Sequence, residues 1–206
     1  MLSFIYGPMG AGKSMFLLAK AYNFEERGIP YRIYKSTVDT RNSGKIYSRA
    51  LGERPCCTIT PEESFFQKED WYNSDVKWIL VDEAQFLTPE QVDQLVNIVD
   101  FCGINVICYG LRTDFQTHLF PGSKRLFEVA DTFEELKSQC SDGLKNIYNA
   151  RVDSNGNLVT EGAQVEVGAE DKYIAMSRKM YFTKLLNQKL EHFCTDALKV
   201  KLEVNE

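Results

Sequence analysis

Two short stretches carry side chains suited to moving a phosphoryl group. The first is GPMGAGKS, Gly7 to Ser14, which meets the pattern GxxxxGK[ST] at Gly7, Gly12, Lys13 and Ser14. Glycines in such a loop let successive backbone amides converge on phosphate oxygens, while the lysine offers a mobile charge and the hydroxyl can ligate Mg²⁺. Gly7, Pro8, Met9, Gly10, Ala11, Gly12, Lys13 and Ser14 are therefore the expected phosphate cradle. The second stretch is WILVDEAQF, Trp78 to Phe86, an apolar run ending in two acids. Asp82 suits the magnesium shell beside Ser14, and Glu83 faces the place where a reaction would occur. Each stretch has a plainer reading: a chance pattern match, or acids merely solvated at a strand end. The strand before the loop and the helix after it are the context the motif requires.

Phosphoryl transfer to an alcohol needs a base beside the acceptor hydroxyl and cations around the group in flight. Glu83 suits the first role; Lys13, Mg²⁺ and an arginine suit the second. Arg41, in the run DTR from Asp39, and Arg112 both follow strand-like segments, although either alone reads equally well as a surface residue or half of an ion pair. Phe86, Phe115 and Phe120 gather at the same edge, where base stacking competes with ordinary core packing. His118 and His192 stand far apart with no cysteine or acid at metal-ligand spacing, so neither is assigned to a site.

The elements that must position these groups alternate. LSFIY (2–6), YRIYKS (31–36), KWILVD (77–82) and INVICYG (104–110) read as buried strands. SMFLLAKAYNFEERG has helical spacing closed by Gly28, and TPEQVDQLVNIVDFCG is a second helix with Thr88 as cap and Pro89 in its first turn. Val92, Leu95, Val96 and Val99 share one face of it. This alternation predicts an α/β fold, a mostly parallel sheet with helices on both faces and ligands at the carboxyl ends of the strands. Residues 37–75, with the ERPCC turn, read as loops carrying one or two short elements. Beyond Leu136 the runs shorten between Gly, Asn and Asp turns, as in a hairpin module, before a closing helical stretch.

A chain of 206 residues with 44% hydrophobic content supports one sizeable core, or one core and a small module. Its 24 basic and 29 acidic residues leave a net charge of −5, which disfavours a polyanion such as nucleic acid and favours a small substrate. Six cysteines without any CxxC pair or secretory leader suggest free thiols in a reducing, cytoplasmic setting. The apolar runs fall far short of the ~20 residues of a membrane span.

Taken together, GPMGAGKS, DTR, VDEAQF, YGLRTDFQ with LFPGS, and EGAQVEVGAEDKY make the chain resemble the cytosolic, tetrameric thymidine kinases, especially bacterial and bacteriophage members, over about residues 2–185. The resemblance implies a P-loop NTPase fold of RecA-like type, with a kinase domain at 1–137, a β-hairpin lasso module at 138–182 and a helical tail at 183–206. It implies ATP-dependent phosphorylation of the 5′-hydroxyl of thymidine with Mg²⁺, Glu83 matching the catalytic base and Lys13 and Arg41 the catalytic cations. Met9, Asp39, Arg41, Phe86, Leu111, Phe115 and Phe120 match positions around the nucleoside, with Val165, Glu166, Val167 and Gly168 on the closing strand of the lasso and Tyr173 beside it. A homotetramer and feedback inhibition by thymidine triphosphate are implied in the same way.

The sequence departs from the family at its metal. Members usually carry four zinc ligands, in a CxxC before the lasso and a CRxC or CRxH after it. Here those places read CSDG and SRKM: Cys140 remains, but Gly143, Ser177 and Met180 replace the others. No structural zinc is expected, and packing around Met180 and Tyr181 is expected to hold the lasso base instead. Two other readings stay open. A nucleic-acid motor would explain the loop and the DEAQ run, although it needs a basic track. A non-catalytic nucleotide-binding or regulatory homologue would explain the lost ligands, although Lys13, Ser14, Asp39, Arg41, Asp82 and Glu83 all remain.

Overall fold

The computed structural model describes residues 1–39, 44–164 and 173–203, with side chains as far as residue 190. Six strands form one sheet: β1 (Leu2–Tyr6), β2 (Tyr31–Ser36), β5 (Cys57–Ile59), β6 (Trp78–Asp82), β7 (Asn105–Gly110) and β8 (Thr132–Glu135), in the order β5-β2-β6-β7-β1-β8. Every neighbouring pair in it runs parallel. Leu2 lies opposite Val106 and Lys35 opposite Asp82, so the strands end level along one edge.

The near-continuous apolar runs are explained by burial on both faces. Ile79 and Val81 of β6, with Val106 and Cys108 of β7, enter a core layer completed by Val92, Leu95 and Ile98 of α3 (Pro89–Cys102) and Leu126 of α4 (Pro121–Val129). Leu80, Ile107 and Tyr109 point the other way, to Leu17, Leu18, Ala21 and Phe24 of α1 (Lys13–Glu26). Period-two alternation in the strands thus selects which helix covers which face.

Helix boundaries follow local chemistry. Thr88 and Gln91 form a reciprocal capping box at the start of α3, Pro89 fills its first turn, and Gly103 ends it at φ 68°. Gln91 also donates from Nε2 to the carbonyls of Thr60 and Glu63, tying α3 to the preceding loop. Residues 44–75 hold more order than their sequence suggests: β3 (Lys45–Ser48) and β4 (Gly52–Pro55) form an antiparallel hairpin, β5 edges the main sheet, and α2 (Phe65–Lys68) is a single turn. Edge strand β8, with the polar sequence TFEE, has no hydrophobic period to mark it, and helix α4 is amphipathic but only 9 residues long.

β9 (Asn146–Arg151) and β10 (Tyr173–Ser177) make a separate antiparallel pair, continuous with α5 (Arg178–Glu203). Ala150, Val152, Leu158, Met176 and Tyr181 give this pair a core of its own. Leu186 and Leu190 of α5 are exposed. Among the described residues, Cys56, Cys57, Cys102, Cys108 and Cys140 are free, and no helix is long and apolar enough to cross a membrane.

Candidate active site

The phosphate loop occupies the turn from β1 into α1, at the carboxyl edge of the sheet. Gly10 and Gly12 take positive φ of 75° and 89°, a conformation that curls the backbone and that β-carbons resist. Gly12 is the residue before α1, so the loop's amides and the helix N-terminus face the same space. Lys13 is buried, its ammonium donating to the carbonyls of Gly7 at 3.1 Å and Pro8 at 3.0 Å. Those bonds hold a positive charge against the loop itself.

The end of β6 meets the loop directly. Ser14 Oγ donates to Asp82 Oδ2 at 3.0 Å, while Asp82 Oδ1 is buried and has no hydrogen-bond partner among the described residues. Burial pushes the Asp82 carboxyl well above the usual carboxylate range; the neighbouring Glu83 charge adds to this, and the Ser14 hydroxyl and Lys13 oppose it. A buried carboxylate beside a hydroxyl, with one oxygen left over, is a donor set that fits Mg²⁺.

Glu83 follows at φ 51° and ψ 39°, one of two non-glycine residues at positive φ among the described residues. Such backbone costs of the order of 1–3 kcal/mol and persists where surrounding structure over-determines it, as functional sites do. Its side chain accepts from Gln85 Nε2 at 2.5 Å. Gln85 is itself buried, and its Oε1 accepts from the amide of Leu111 at 2.9 Å, so one side chain ties the acid at the end of β6 to the chain leaving β7.

The other expected residues fall around this edge. Asp39 sits past β2, its buried carboxylate 3.0 Å from the buried ammonium of Lys35. Half-buried Phe86 packs edge-on against buried Phe120 at 5.6 Å, Leu111 follows β7, and Phe115 is buried. Tyr173 opens β10. Met9 bonds through its amide to Asn149 Oδ1 of β9 at 2.7 Å, which brings the small module onto the loop. Arg112 lies half-buried just past β7, and His118 is exposed. Arg41, Val165, Glu166, Val167 and Gly168 lie outside the described residues, as does the side chain of His192.

Several groups at this edge escape a reading by motif: Lys35, Gln85, Asn149 and Arg151. Lys35 is the last charge in the strand YRIYKS and Arg151 stands in the run NIYNARV, so a charge inside a strand pattern was the available signal. Gln85 stands in the DEAQ run with no role assigned to it by the motif, and nothing in the spacing marks Asn149.

Four places in the small module converge as well. Cys140 Sγ lies 3.6 Å from Met180 Sδ. Ser177 Oγ donates to Asp142 Oδ2 at 2.5 Å and accepts from the Met180 amide, thereby capping α5. A thiol, a thioether and an engaged hydroxyl do not supply a tetrahedral zinc set.

Comparison with known proteins bears on the whole of this arrangement. A family model described as thymidine kinase matches residues 1–181. The chain belongs to the thymidine kinase family. The thymidine kinase of Zymomonas mobilis is 42% identical over 187 residues, spanning 89% of this chain and 97% of that protein. That of Haemophilus influenzae is 41% identical over 186 residues, and that of Legionella pneumophila 43% over 184, the latter two covering 96% and 88% of those proteins. Among solved structures, the Pif1 helicase of Candida albicans overlaps 67% of this chain and 36% of that one, with a TM-score of 0.42 and 15% identity, too weak to bear on function.

Proposed function

We propose that this protein transfers the γ-phosphoryl group of ATP to the 5′-hydroxyl of thymidine. The observation that supports this most is the junction of the phosphate loop with β6, where Ser14 bonds Asp82 and Glu83 is held out in a strained conformation beside them. In the reaction, the acceptor oxygen forms a bond to the γ-phosphorus as the bond from phosphorus to the bridging oxygen of ADP breaks. Glu83 takes the hydroxyl proton, and Gln85 keeps its carboxylate in place. Lys13 exchanges the carbonyls of Gly7 and Pro8 for phosphate oxygens, its positive charge stabilising the charge that develops there. Ser14 and Asp82 would hold Mg²⁺, which when bound neutralises charge on the phosphates.

Asp39 and Arg41 are assigned to the acceptor side, with Met9, Phe86, Leu111, Phe115, Phe120 and Tyr173 around the nucleoside. Val165, Glu166, Val167 and Gly168 are assigned to the same pocket from the family pattern alone. The chain is further proposed to work without structural zinc, as a cytoplasmic homotetramer restrained by thymidine triphosphate, with no nucleic-acid or membrane partner. The assay is direct: thymidine, ATP and Mg²⁺ should give thymidine 5′-monophosphate and ADP in equal amounts, and removal of Mg²⁺ should stop the reaction. Thymidine left unchanged beside the active protein contradicts the proposal.

A further inference from the structure

One strand of the small module touches both halves of the site. Asn149 of β9 is buried, and its Oδ1 accepts the Met9 amide of the phosphate loop at 2.7 Å across 140 residues of sequence. Two residues on, and so on the same side of the strand, Arg151 is also buried. Its guanidinium lies 3.9 Å over the ring of Phe115 and donates to Tyr173 Oη at 3.0 and 2.8 Å and to the Ala163 carbonyl at 2.8 Å. Ala150, between them, points into the module's own core. The strand is therefore fixed on its far side and presents one polar contact to the loop and one to the aromatic wall.

We propose that β9 is the physical link by which nucleoside binding prepares the phosphate loop for ATP, with Asn149 as the positioning residue. The proposal rests on the assignment of Phe115 and Tyr173 to the nucleoside side. The bonded amide belongs to the Pro8–Met9 peptide, whose carbonyl also accepts from Lys13, and it lies one residue before Gly10, whose positive φ begins the curl of the loop, so fixing that peptide constrains the direction of the amides after it. A nucleoside seated against Phe115 and Tyr173 holds Arg151 and the strand; the strand holds Met9; ATP then meets a loop already ordered. Because such coupling is reciprocal, each ligand tightens the other by the same factor.

The test is linkage measured by calorimetry on the full chain. The dissociation constant of a non-hydrolysable ATP analogue with Mg²⁺ is taken with and without saturating thymidine, for the parent, Asn149→Leu and Asn149→Asp. Thymidine should tighten the analogue about tenfold in the parent, within the usual range of such couplings. Asn149→Leu keeps the branched shape and removes the acceptor, and should bring the ratio to within about twofold of unity. Asn149→Asp keeps the acceptor, and should retain the ratio even if its charge weakens the analogue uniformly. Should the leucine variant not fold, Asn149→Ser, too short to reach Met9, takes its place with the same expectation. An undiminished ratio in the variants lacking the acceptor overturns the link, as does a parent that phosphorylates thymidine yet shows no coupling. A parent that leaves thymidine unphosphorylated overturns the kinase reading, and the link with it.

Discussion

At the scale of the residue, Glu83 carries two separable burdens. Its carboxylate is the proposed base, and its backbone sits where an L residue is strained. Glu83→Gln keeps shape and removes basicity, so kcat should fall roughly 10²-fold or more while the affinity for ATP changes little; steady-state kinetics with a direct ATP-binding measurement checks both. Stability separates the second burden. Glu83→Gly and Glu83→Ala lose the same carboxylate, but only glycine accepts φ 51° without penalty, so Glu83→Gly should unfold at about 1 kcal/mol higher free energy than Glu83→Ala in denaturant titration. Neither Glu83's backbone nor the bond from Gln85 was legible in DEAQF. A motif names residue types, whereas strain and orientation depend on what packs behind them.

At the scale of the element, the site depends on how closely α4 seats against the turn after Glu83. A β-carbon at Gly122, in the first turn of α4, would come within 2.6 Å of the Leu87 carbonyl and 2.7 Å of the Ala84 carbonyl. Those are backbone atoms, so Gly122→Ala must shift the turn that carries Glu83. We expect a loss of about 2 kcal/mol in stability, the scale of overpacking, with a fall in kcat larger than the change in thermal unfolding would suggest. The elements legible in the sequence were those whose burial imposes a period: β1 and β2 to the residue, β6 and β7 to within one, and α3 with its cap. Those that were not, β8, α4, β5 and the hairpin of β3 with β4, are short, lie at edges or are largely polar, and are fixed by neighbours rather than by their own pattern. The same distinction holds within the site, where Lys13, Ser14, Asp82 and Glu83 stood out by motif, while Lys35, Asn149 and Arg151 came together only through long-range folding.

At the scale of the whole molecule, the small module is bound to the kinase core, among the described residues, by side chains rather than by a shared sheet. Tyr181 Oη donates to the Phe115 carbonyl at 3.0 Å, Gln164 to Asp114 at 2.9 Å, and Gln116 to the Thr160 carbonyl at 2.8 Å. Met180 and Tyr181 pack at its base, where the family usually places zinc ligands, and the module is proposed to form without a metal. Protein purified without chelator should therefore carry no stoichiometric zinc, and adding a chelator should leave its thermal unfolding unchanged; one tightly held zinc per chain by elemental analysis would refute this. A net charge of −5 disfavours a nucleic-acid track. The most direct measurement is product analysis with ATP and Mg²⁺ across a panel of deoxynucleosides and single-stranded DNA. The account predicts thymidine 5′-monophosphate, with ADP formed one for one and no stimulation by DNA. ATP hydrolysis driven by DNA, with no nucleoside monophosphate from any deoxypyrimidine, would contradict it.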